Sequence, residues 1–282
     1  MHRMPWQKQA VCSICVLALL YGAVAQAMIP FTTETDWTGT TAIPHPFRSE
    51  TVTKTYVYDA NGNHVATNAT VGGERKRYDI LGRLVWYEGP EGIEEYTYFG
   101  AGPQRRTITR TPANGGDPET VHLLYDGHDV VAAYGSDGLA SLFVTPYLDE
   151  NLSMTLLSGP EAGIYYYTHD GLGSVTGLTD AMGGVRNEYQ YTAFGVPYES
   201  RVAVPQPYGY TGREYNPLSK DWHYRYRNYN ATDGRFNRPD PLGYLSDINL
   251  YNYVSNKPYK YVDPFGLKLT ICGSRDYRLT AR

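Results

Sequence analysis

The sequence predicts a mainly β protein built from repeated antiparallel hairpins. The chain contains 28 tyrosines, 29 glycines and 18 prolines in 282 residues, a composition that favours short strands joined by tight turns. A tyrosine-aspartate turn phrase also recurs at a fixed spacing. The segments between its copies alternate apolar and polar residues with the period of two that is typical of strands. Both observations argue against long helices.

The turn phrase defines a repeat that begins near residue 54. Copies start at Tyr58, Tyr78 and Tyr98, which are twenty residues apart, and looser copies follow at Tyr125 and His169. Aspartate and glycine favour the turn, and the tyrosine ring packs on the neighbouring strand. A fixed period of this length predicts hairpins stacked side by side. The tyrosines are interpreted mainly as scaffold, with sugar binding as the alternative.

A glycine-rich stretch at 171–177 has some likeness to a phosphate-binding loop. The loop of that type is followed by a helix, and no helix is predicted here. We therefore predict a hairpin in which Ile164 to His169 pairs with Ser174 to Thr179.

The N-terminal residues 1–27 have the features of a secretory signal peptide. Arg3 and Lys8 precede an apolar run over 10–24, and small residues at 25–27 provide a cleavage site. The run is too short and too early for a stable membrane span. We therefore expect a protein that is exported, and either secreted or associated with the cell envelope, with no membrane span in the mature chain.

Charge and residue spacing exclude several kinds of site. The chain has 25 Lys+Arg and 29 Asp+Glu, a net charge of −4 with no basic stripe, so nucleic acid is not an expected partner. The seven histidines have no metal-ligand spacing, and signal cleavage leaves Cys272 as the one cysteine. We therefore expect no metal, no other cofactor and no disulfide framework.

The residues with the clearest chemical potential lie between 222 and 268. This stretch contains two near-copies of one phrase, DPLG from Asp240 and DPFG from Asp263, set 23 residues apart. Proline fixes its own φ and glycine accepts a positive φ, so each phrase predicts a tight turn that holds its aspartate. The turn residues are Pro241, Gly243, Pro264 and Gly266. Two such turns can present two carboxylates to one site.

The ordered blocks RNYNATDGRF, RPDPLG, NLYNYVSNKP and VDPFGL resemble the RHS repeat-associated core domain of RHS and YD-repeat proteins, which include polymorphic toxins. The tyrosine-aspartate phrase likewise resembles the YD repeat. The resemblance implies a β-hairpin spiral, or partial shell, closed by a core region with one short helix. It also implies an intramolecular aspartyl protease that cuts after the closing motif. By position its catalytic residues are Asp240, Asp263 and Arg227, and the cleaved bond is Leu267–Lys268.

The chemistry of these residues fits that role. Two carboxylates held close together share a proton, so one can activate water while the other protonates or polarises the cleaved peptide. The family often has Arg-Tyr-Tyr where this chain has Asn228 after Arg227, and Arg225 lies two residues earlier as a second arginine. The structural alternative is that both phrases are ordinary turns whose aspartates carry no chemistry.

These observations divide the chain into five segments. They are a signal peptide at 1–27, an irregular lead-in at 28–53, a YD/RHS-repeat hairpin region at 54–188, an RHS core domain at 189–267 and a short tail at 268–282. Within the core domain, 246–254 is the one predicted helix, with Ser246 as its cap and Pro258 as its stop. A tail of this length cannot form a core, so the resemblance implies a vestigial or missing toxin tip.

The leading functional hypothesis is an exported, polymorphic toxin-type scaffold that releases its C-terminal segment by autoproteolysis. Its expected partners are its own C-terminal cargo or other components of a toxin complex. The alternative is a non-catalytic cell-surface protein that binds an envelope glycan or another partner through its repeats. A third hypothesis is a degraded fragment without a stable fold, since a short spiral exposes unpaired strand edges.

Overall fold

The computed structural model describes residues 36–41, 52–69, 73–136, 138–245, 247–268 and 270–271. Within these ranges the chain is almost entirely β, as the sequence predicts, and no α-helix forms. The predicted signal peptide, most of the lead-in and residues 272–282 of the tail lie outside the described residues. Among the described residues, no helix has the length and hydropathy needed to cross a membrane.

Fifteen strands of the described chain form one open sheet, in which each strand pairs antiparallel with the next in sequence. They are β1 (Asp36–Thr41), β2 (Val52–Tyr58), β3 (His64–Ala69), β4 (Glu74–Tyr78), β5 (Leu84–Gly89), β6 (Gly92–Tyr98), β7 (Arg105–Pro112), β8 (Glu119–Asp126), β9 (Asp129–Gly135), β10 (Gly138–Val144), β11 (Ser153–Leu156), β12 (Gly163–His169), β13 (Val175–Asp180), β14 (Val185–Tyr191) and β15 (Pro197–Val202). This order is the hairpin array that the repeat predicts. The predicted hairpin around 171–177 is confirmed, because β12 pairs with β13.

The repeated turn phrase works through its aspartate and its glycine. Asp79 Oδ1 accepts hydrogen bonds from the backbone N–H groups of Leu81 at 3.0 Å and Arg83 at 2.8 Å. Gly82 lies between them with a φ of 71°, a conformation that glycine adopts without strain. The turns at Asp59, Asp170 and Asp180 have the same two hydrogen bonds. Because these contacts are local, each hairpin is specified by its own sequence.

One face of the fifteen-stranded sheet forms a hydrophobic core. The alternating pattern of β6 places Tyr96 and Tyr98 in this core, with Tyr96 buried and Tyr98 half-buried. The sheet packs there against Val204 and Tyr208, which follow β15. Tyr96, Tyr165, Tyr167 and Tyr208 are all buried in this cluster. Their burial supports the scaffold interpretation of the tyrosines over a sugar-binding one.

The remaining strands follow in the second half of the chain. A four-stranded antiparallel sheet contains β16 (Glu214–Asn216), β17 (Asp221–Tyr224), β18 (Arg227–Asn230) and β19 (Arg235–Phe236), and a small ladder pairs β20 (Tyr261–Val262) with β21 (Thr270–Ile271). Short 3-10 turns occur at Tyr210–Gly212, Gly243–Leu245 and Val254–Asn256. Aromatic side chains form the core of this region, including Tyr224, Tyr229, Phe236 and Tyr253.

Buried polar contacts join the two sheets. Lys76 of β4 lies 3.4 Å from Asp221 of β17, and both side chains are fully buried. Arg105 Nη1 of β7 donates to Asn216 Oδ1 at 2.7 Å. Burial lowers the pKa of Lys76 but the attraction of Asp221 and Glu74 outweighs it, so that pKa is raised. These contacts fix the four-stranded sheet against the face of the fifteen-stranded sheet, or large sheet, that carries the hydrophobic core.

The predicted helix over 246–254 is wrong: residues 248–253 form turns, bends and an isolated β-bridge at Asn252, and Val254 begins a 3-10 turn. Ser246 lies outside the described residues. Short polar side chains explain the difference. Asp247 Oδ1 accepts the N–H of Asn249 at 3.3 Å, and Asn249 Oδ1 accepts the N–H of Tyr251 at 3.1 Å. Such local hydrogen bonds compete with helical ones, because they satisfy the backbone in a turn conformation.

Candidate active site

The structure brings Arg227, Asp240 and Asp263 together. Arg227 begins β18, Asp240 lies in the turn after β19, and Asp263 directly follows β20. The Nη2 atom of Arg227 lies 2.9 Å from Asp240 Oδ2 and 3.4 Å from Asp263 Oδ2. All three side chains are only 3% exposed. Two buried carboxylates therefore meet at a single guanidinium nitrogen, although they are 23 residues apart in sequence.

The two aspartate-proline turns lie in different surroundings. In the first, Asp240 Oδ1 accepts the N–H of Leu242 at 2.8 Å, while Pro241 and Leu242 are exposed. In the second, the residues from Asp263 to Leu267 are all buried. A Cβ atom added to Gly266 would lie 2.6 Å from the carbonyl oxygen of Tyr224. The second turn is therefore enclosed by the protein, with space there for glycine alone.

Asp263 also contacts the predicted cleavage site. Its Oδ1 accepts hydrogen bonds from the N–H of Leu267 at 2.9 Å and from the N–H of Lys268 at 3.0 Å. Arg227 Nε donates to the carbonyl oxygen of Gly266. Leu267 is buried and Lys268 is exposed, so the predicted bond lies where the chain leaves the interior. A carboxyl group is therefore held beside the nitrogen atom of that bond.

Contacts from other elements fix the orientation of Arg227. Its guanidinium lies 3.7 Å from the centroid of the Phe236 ring, and its Nη1 donates to the carbonyl oxygen of Leu250 at 3.1 Å. The backbone N–H of Asp240 donates to the same Leu250 oxygen at 2.9 Å. The turn around residue 250 thus holds both the arginine and one aspartate. Of the two arginines that the sequence offers for this site, Arg227 is the one that contacts the aspartates.

The electrostatic environment changes the proton affinity of these groups. Burial raises the pKa of Asp263 above its ordinary value, against the opposing effects of Arg227 and of the two backbone N–H groups. Burial also lowers the pKa of Arg227, and the two aspartates oppose that change. Asp263 therefore keeps its proton to a higher pH than an exposed aspartate does.

A small cavity of about 20 Å³ adjoins the three residues and is also lined by Leu267 and Lys268. A space of this size accommodates about one water molecule, and the polar lining offers the partners that a buried water requires. Across the described part of the chain, no cluster of three or more His, Cys, Asp or Glu side chains is arranged to hold a metal ion. Two carboxyl groups, a guanidinium and a peptide nitrogen that lie this close together can carry out acid-base chemistry.

A second polar cluster was not predicted from the sequence. Arg213 Nη1 and Arg225 Nη1 both donate to the carbonyl oxygen of Pro264, at 3.0 Å and 2.5 Å. Both arginines also form ion pairs with Asp149, and Arg225 Nη2 lies 3.0 Å from Asp129 Oδ1. The arginine-rich stretch from 213 to 227 was visible in the sequence. Its acidic partners lie 64 to 96 positions earlier, without a motif to connect them.

Parts of this chain are similar in sequence to known bacterial toxins. No family model matches the chain. The chain is 28% identical over 242 residues to the double-stranded DNA deaminase toxin A of Burkholderia cenocepacia, which covers 75% of this chain and 17% of that protein. It is 34% identical over 113 residues to the toxin protein Tse5 of Pseudomonas aeruginosa, which covers 38% of this chain and 8% of that one. These relatives are toxins, which supports the resemblance to an RHS-type toxin family.

A solved structure is similar in fold. The Photorhabdus luminescens Tc holotoxin pore with mutated TccC3 matches 79% of this chain with a TM-score of 0.58 and 18% sequence identity. The match covers 13% of that chain. The chain therefore shares its β architecture with part of a Tc toxin, as the predicted fold class requires.

Proposed function

We propose that this protein is a polymorphic toxin-type scaffold that hydrolyses its own Leu267–Lys268 bond once. Asp240 and Asp263 act as the acid-base pair, and Arg227 holds them together. The observation that carries the proposal is the position of Asp263. It shares the Arg227 Nη2 atom with Asp240, and its Oδ1 lies 3.0 Å from the Lys268 nitrogen.

In the proposed reaction a water molecule in the small cavity attacks the carbonyl carbon of Leu267. Asp240 accepts a proton from the water as the new C–O bond forms. Asp263 donates its proton to the Lys268 nitrogen as the C–N bond breaks, which gives a carboxylic acid at Leu267 and an amine at Lys268. The raised pKa of Asp263 suits it to donate, since it keeps its proton to a higher pH than an ordinary aspartate does.

Intramolecular geometry replaces substrate binding in this mechanism. The cleaved bond follows Asp263 by four residues, and the carbonyl oxygens before it are fixed. Arg227 Nε contacts the Gly266 oxygen, and the N–H of Tyr226 donates to the Phe265 oxygen at 3.2 Å. Holding reacting groups in position supplies several kcal/mol of the barrier reduction, on the order of 7–11 in the best cases.

The comparisons with toxins support a wider role for the protein. Residues 54–188 form the repeat region and 189–267 the core domain in this proposal, with 1–27 acting as an export signal. The cargo is the segment that follows Leu267. Components of a toxin complex are the proposed partners, because the similar solved structure is a Tc holotoxin pore.

The proposal is tested by following the mass of newly made protein. Cell-free synthesis of the full chain allows the newly made protein to be analysed before its fragments are lost in purification. Intact-mass spectrometry then detects a fragment that ends at Leu267. Wild type is expected to yield this fragment, while Asp240→Asn stays intact. An intact wild-type chain that shows a cooperative thermal transition would reject the proposal.

A non-catalytic interaction protein is the second candidate, and one observation favours it. Asp263 accepts an N–H from the residue four positions later, as Asp79 and the other repeat aspartates do. This contact alone is explained by a structural turn. The buried arginine and the second carboxylate distinguish Asp263 from the repeat turns, and they favour the catalytic proposal.

A further inference from the structure

The carbonyl oxygen of Pro264 is held by two buried arginines from a separate part of the fold. Arg213 follows the 3-10 turn at Tyr210–Gly212, and Arg225 lies in the tight turn between β17 and β18. Each donates to this oxygen through its Nη1 atom, at 3.0 Å and 2.5 Å. The Arg225 guanidinium also lies 5.0 Å from the centroid of the Phe265 ring. These contacts hold the segment just before the proposed cleavage site.

The partners of the two arginines come from the large sheet. Asp149, in the loop between β10 and β11, accepts from Arg225 Nη2 at 2.8 Å and from Arg213 Nη2. Asp129, at the start of β9, accepts from Arg225 Nη2 at 3.0 Å. Burial alone would lower the pKa of Arg225, and attraction to Asp149 is the largest of the effects that oppose burial. The net result is a raised pKa of Arg225. The acidic residues therefore keep the arginine charged and oriented.

From this arrangement we infer that Arg213, Arg225 and Asp149 are positioning residues for the proposed self-cleavage. Cleavage thus requires the fifteen-stranded sheet, or large sheet, to be packed against the core region, which here means residues 213–268. The three residues touch neither Asp240 nor the Leu267–Lys268 bond in any contact described above. Their effect is on the path of the backbone at 264–266. The inference rests on the proposed function, because a chain that does not cleave has no reaction to position.

Cleavage requires the two sheets to be packed together because the acidic partners of Arg213 and Arg225 belong to the large sheet. Without Asp149 and Asp129, two arginine side chains would be buried at the Pro264 oxygen with their charge uncompensated. They would then move toward water, and the Pro264 carbonyl would lose both donors. A displacement of about 1 Å at a reacting group can reduce a rate by about a hundredfold. Cleavage would therefore begin only after β9 to β11 have packed on the core region.

The test measures the rate of cleavage in the full chain made by cell-free synthesis. Arg225→Lys keeps the positive charge and Asp149→Asn keeps the shape of the side chain, and a cooperative thermal transition identifies the variants that fold. Each should slow cleavage by about tenfold or more, because the bidentate contacts to Asp149 and Pro264 cannot all form. Arg213→Lys combined with Arg225→Lys should be slower than either single change.

Asp233→Asn is the matched control. Lys54 of β2 pairs with Asp233 at 3.1 Å, and this contact also joins the large sheet to the core region without touching residues 263–268. Its cleavage rate should equal that of wild type. If Asp233→Asn slows cleavage as much as Asp149→Asn does, the effect is general destabilisation and the inference is overturned.

The pH dependence of the rate separates positioning from a direct electrostatic role. A positioning variant lowers the rate at every pH and leaves the midpoint of the profile unchanged. A shifted midpoint in Arg225→Lys would mean that the arginine acts on the charge of the aspartates, and it would overturn the inference. Wild-type rates in folded Arg225→Lys and Asp149→Asn would overturn the inference alone. An uncleaved wild type would instead reject the proposed function.

Discussion

The backbone nitrogen of Lys268 lies 3.0 Å from the Oδ1 atom of Asp263. This contact places a carboxyl group beside the atom that would leave in peptide hydrolysis.

The first prediction concerns the role of Asp263 itself. Asp263→Asn is expected to reduce cleavage by about a hundredfold or more, because an amide cannot donate the required proton. Its stability should fall somewhat, since Asn Oδ1 can still accept from Leu267 and Lys268 but the amide nitrogen replaces the oxygen that faces Arg227. The matched control is Asp170→Asn, which makes the same change in a repeat turn and should cleave normally. Equal cleavage in both variants, measured by intact mass, would assign Asp263 a structural role.

The second prediction concerns pH. Burial raises the pKa of Asp263 above its ordinary 3.8, so cleavage should slow as pH rises through that raised pKa. The stability contribution of this group has the same direction: it is complete below the unfolded-state pKa and is lost as pH rises through the folded-state pKa. The first part is measured as cleavage rate against pH, and a rate that increases steadily with pH would contradict it.

The stability part of that prediction requires uncleaved protein. Asp240→Asn provides it, and its melting temperature should fall as pH rises above the ordinary pKa of aspartate. The double variant Asp240→Asn with Asp263→Asn is the control, and it should lose this part of the pH dependence. Identical pH profiles of melting temperature for the two proteins would show that the Asp263 pKa is not raised.

The third prediction concerns Arg227. Arg227→Lys keeps one positive charge, but an ammonium group cannot contact Asp240, Asp263 and the Gly266 oxygen together. Cleavage should slow by about tenfold or more. Arg186→Lys is the control, since Arg186 forms a partly exposed pair with Glu161 far from the site in sequence. A normal rate in Arg227→Lys would mean that charge alone is sufficient.

The fourth prediction concerns the enclosed turn. Gly266→Ala places a Cβ atom 2.6 Å from the Tyr224 oxygen at a φ of 67°, and it should destabilise the fold by roughly 2–5 kcal/mol. Gly243 has a similar φ of 62°, but a Cβ atom added there would have no other atom within 4 Å. Gly243→Ala is therefore expected to lower the free energy of unfolding by only about 1–2 kcal/mol. Urea unfolding in the uncleaved Asp240→Asn background measures both. Equal losses would show that the space around Gly266 is not restricted.

Local signals explain what the sequence could predict. The turn at Asp79 depends on hydrogen bonds within five residues, so its phrase specifies a hairpin wherever it occurs. The meeting of Asp240 with Asp263 was predicted from a family resemblance, and the geometry of the fold brings both to Arg227. The periodicity argument failed over 246–254, because Asp247 and Asn249 bind their own backbone.

Long-range contacts explain what the sequence could not predict. Asp149 lies 76 positions before Arg225, and no periodicity or motif connects the two residues. The buried pair of Lys76 and Asp221 is a similar case, since a lysine in an alternating strand is ordinarily assigned to the solvent face. Both contacts form only when the large sheet and the core region pack together.

The burial boundary at Leu267 determines what would follow hydrolysis. Phe265, Gly266 and Leu267 are enclosed, whereas Lys268 already faces the solvent. The new carboxyl end would remain enclosed beside Arg227 and the two aspartates, while the freed amine could diffuse away. Such a product would keep any other peptide out of the site, so the site would act only once.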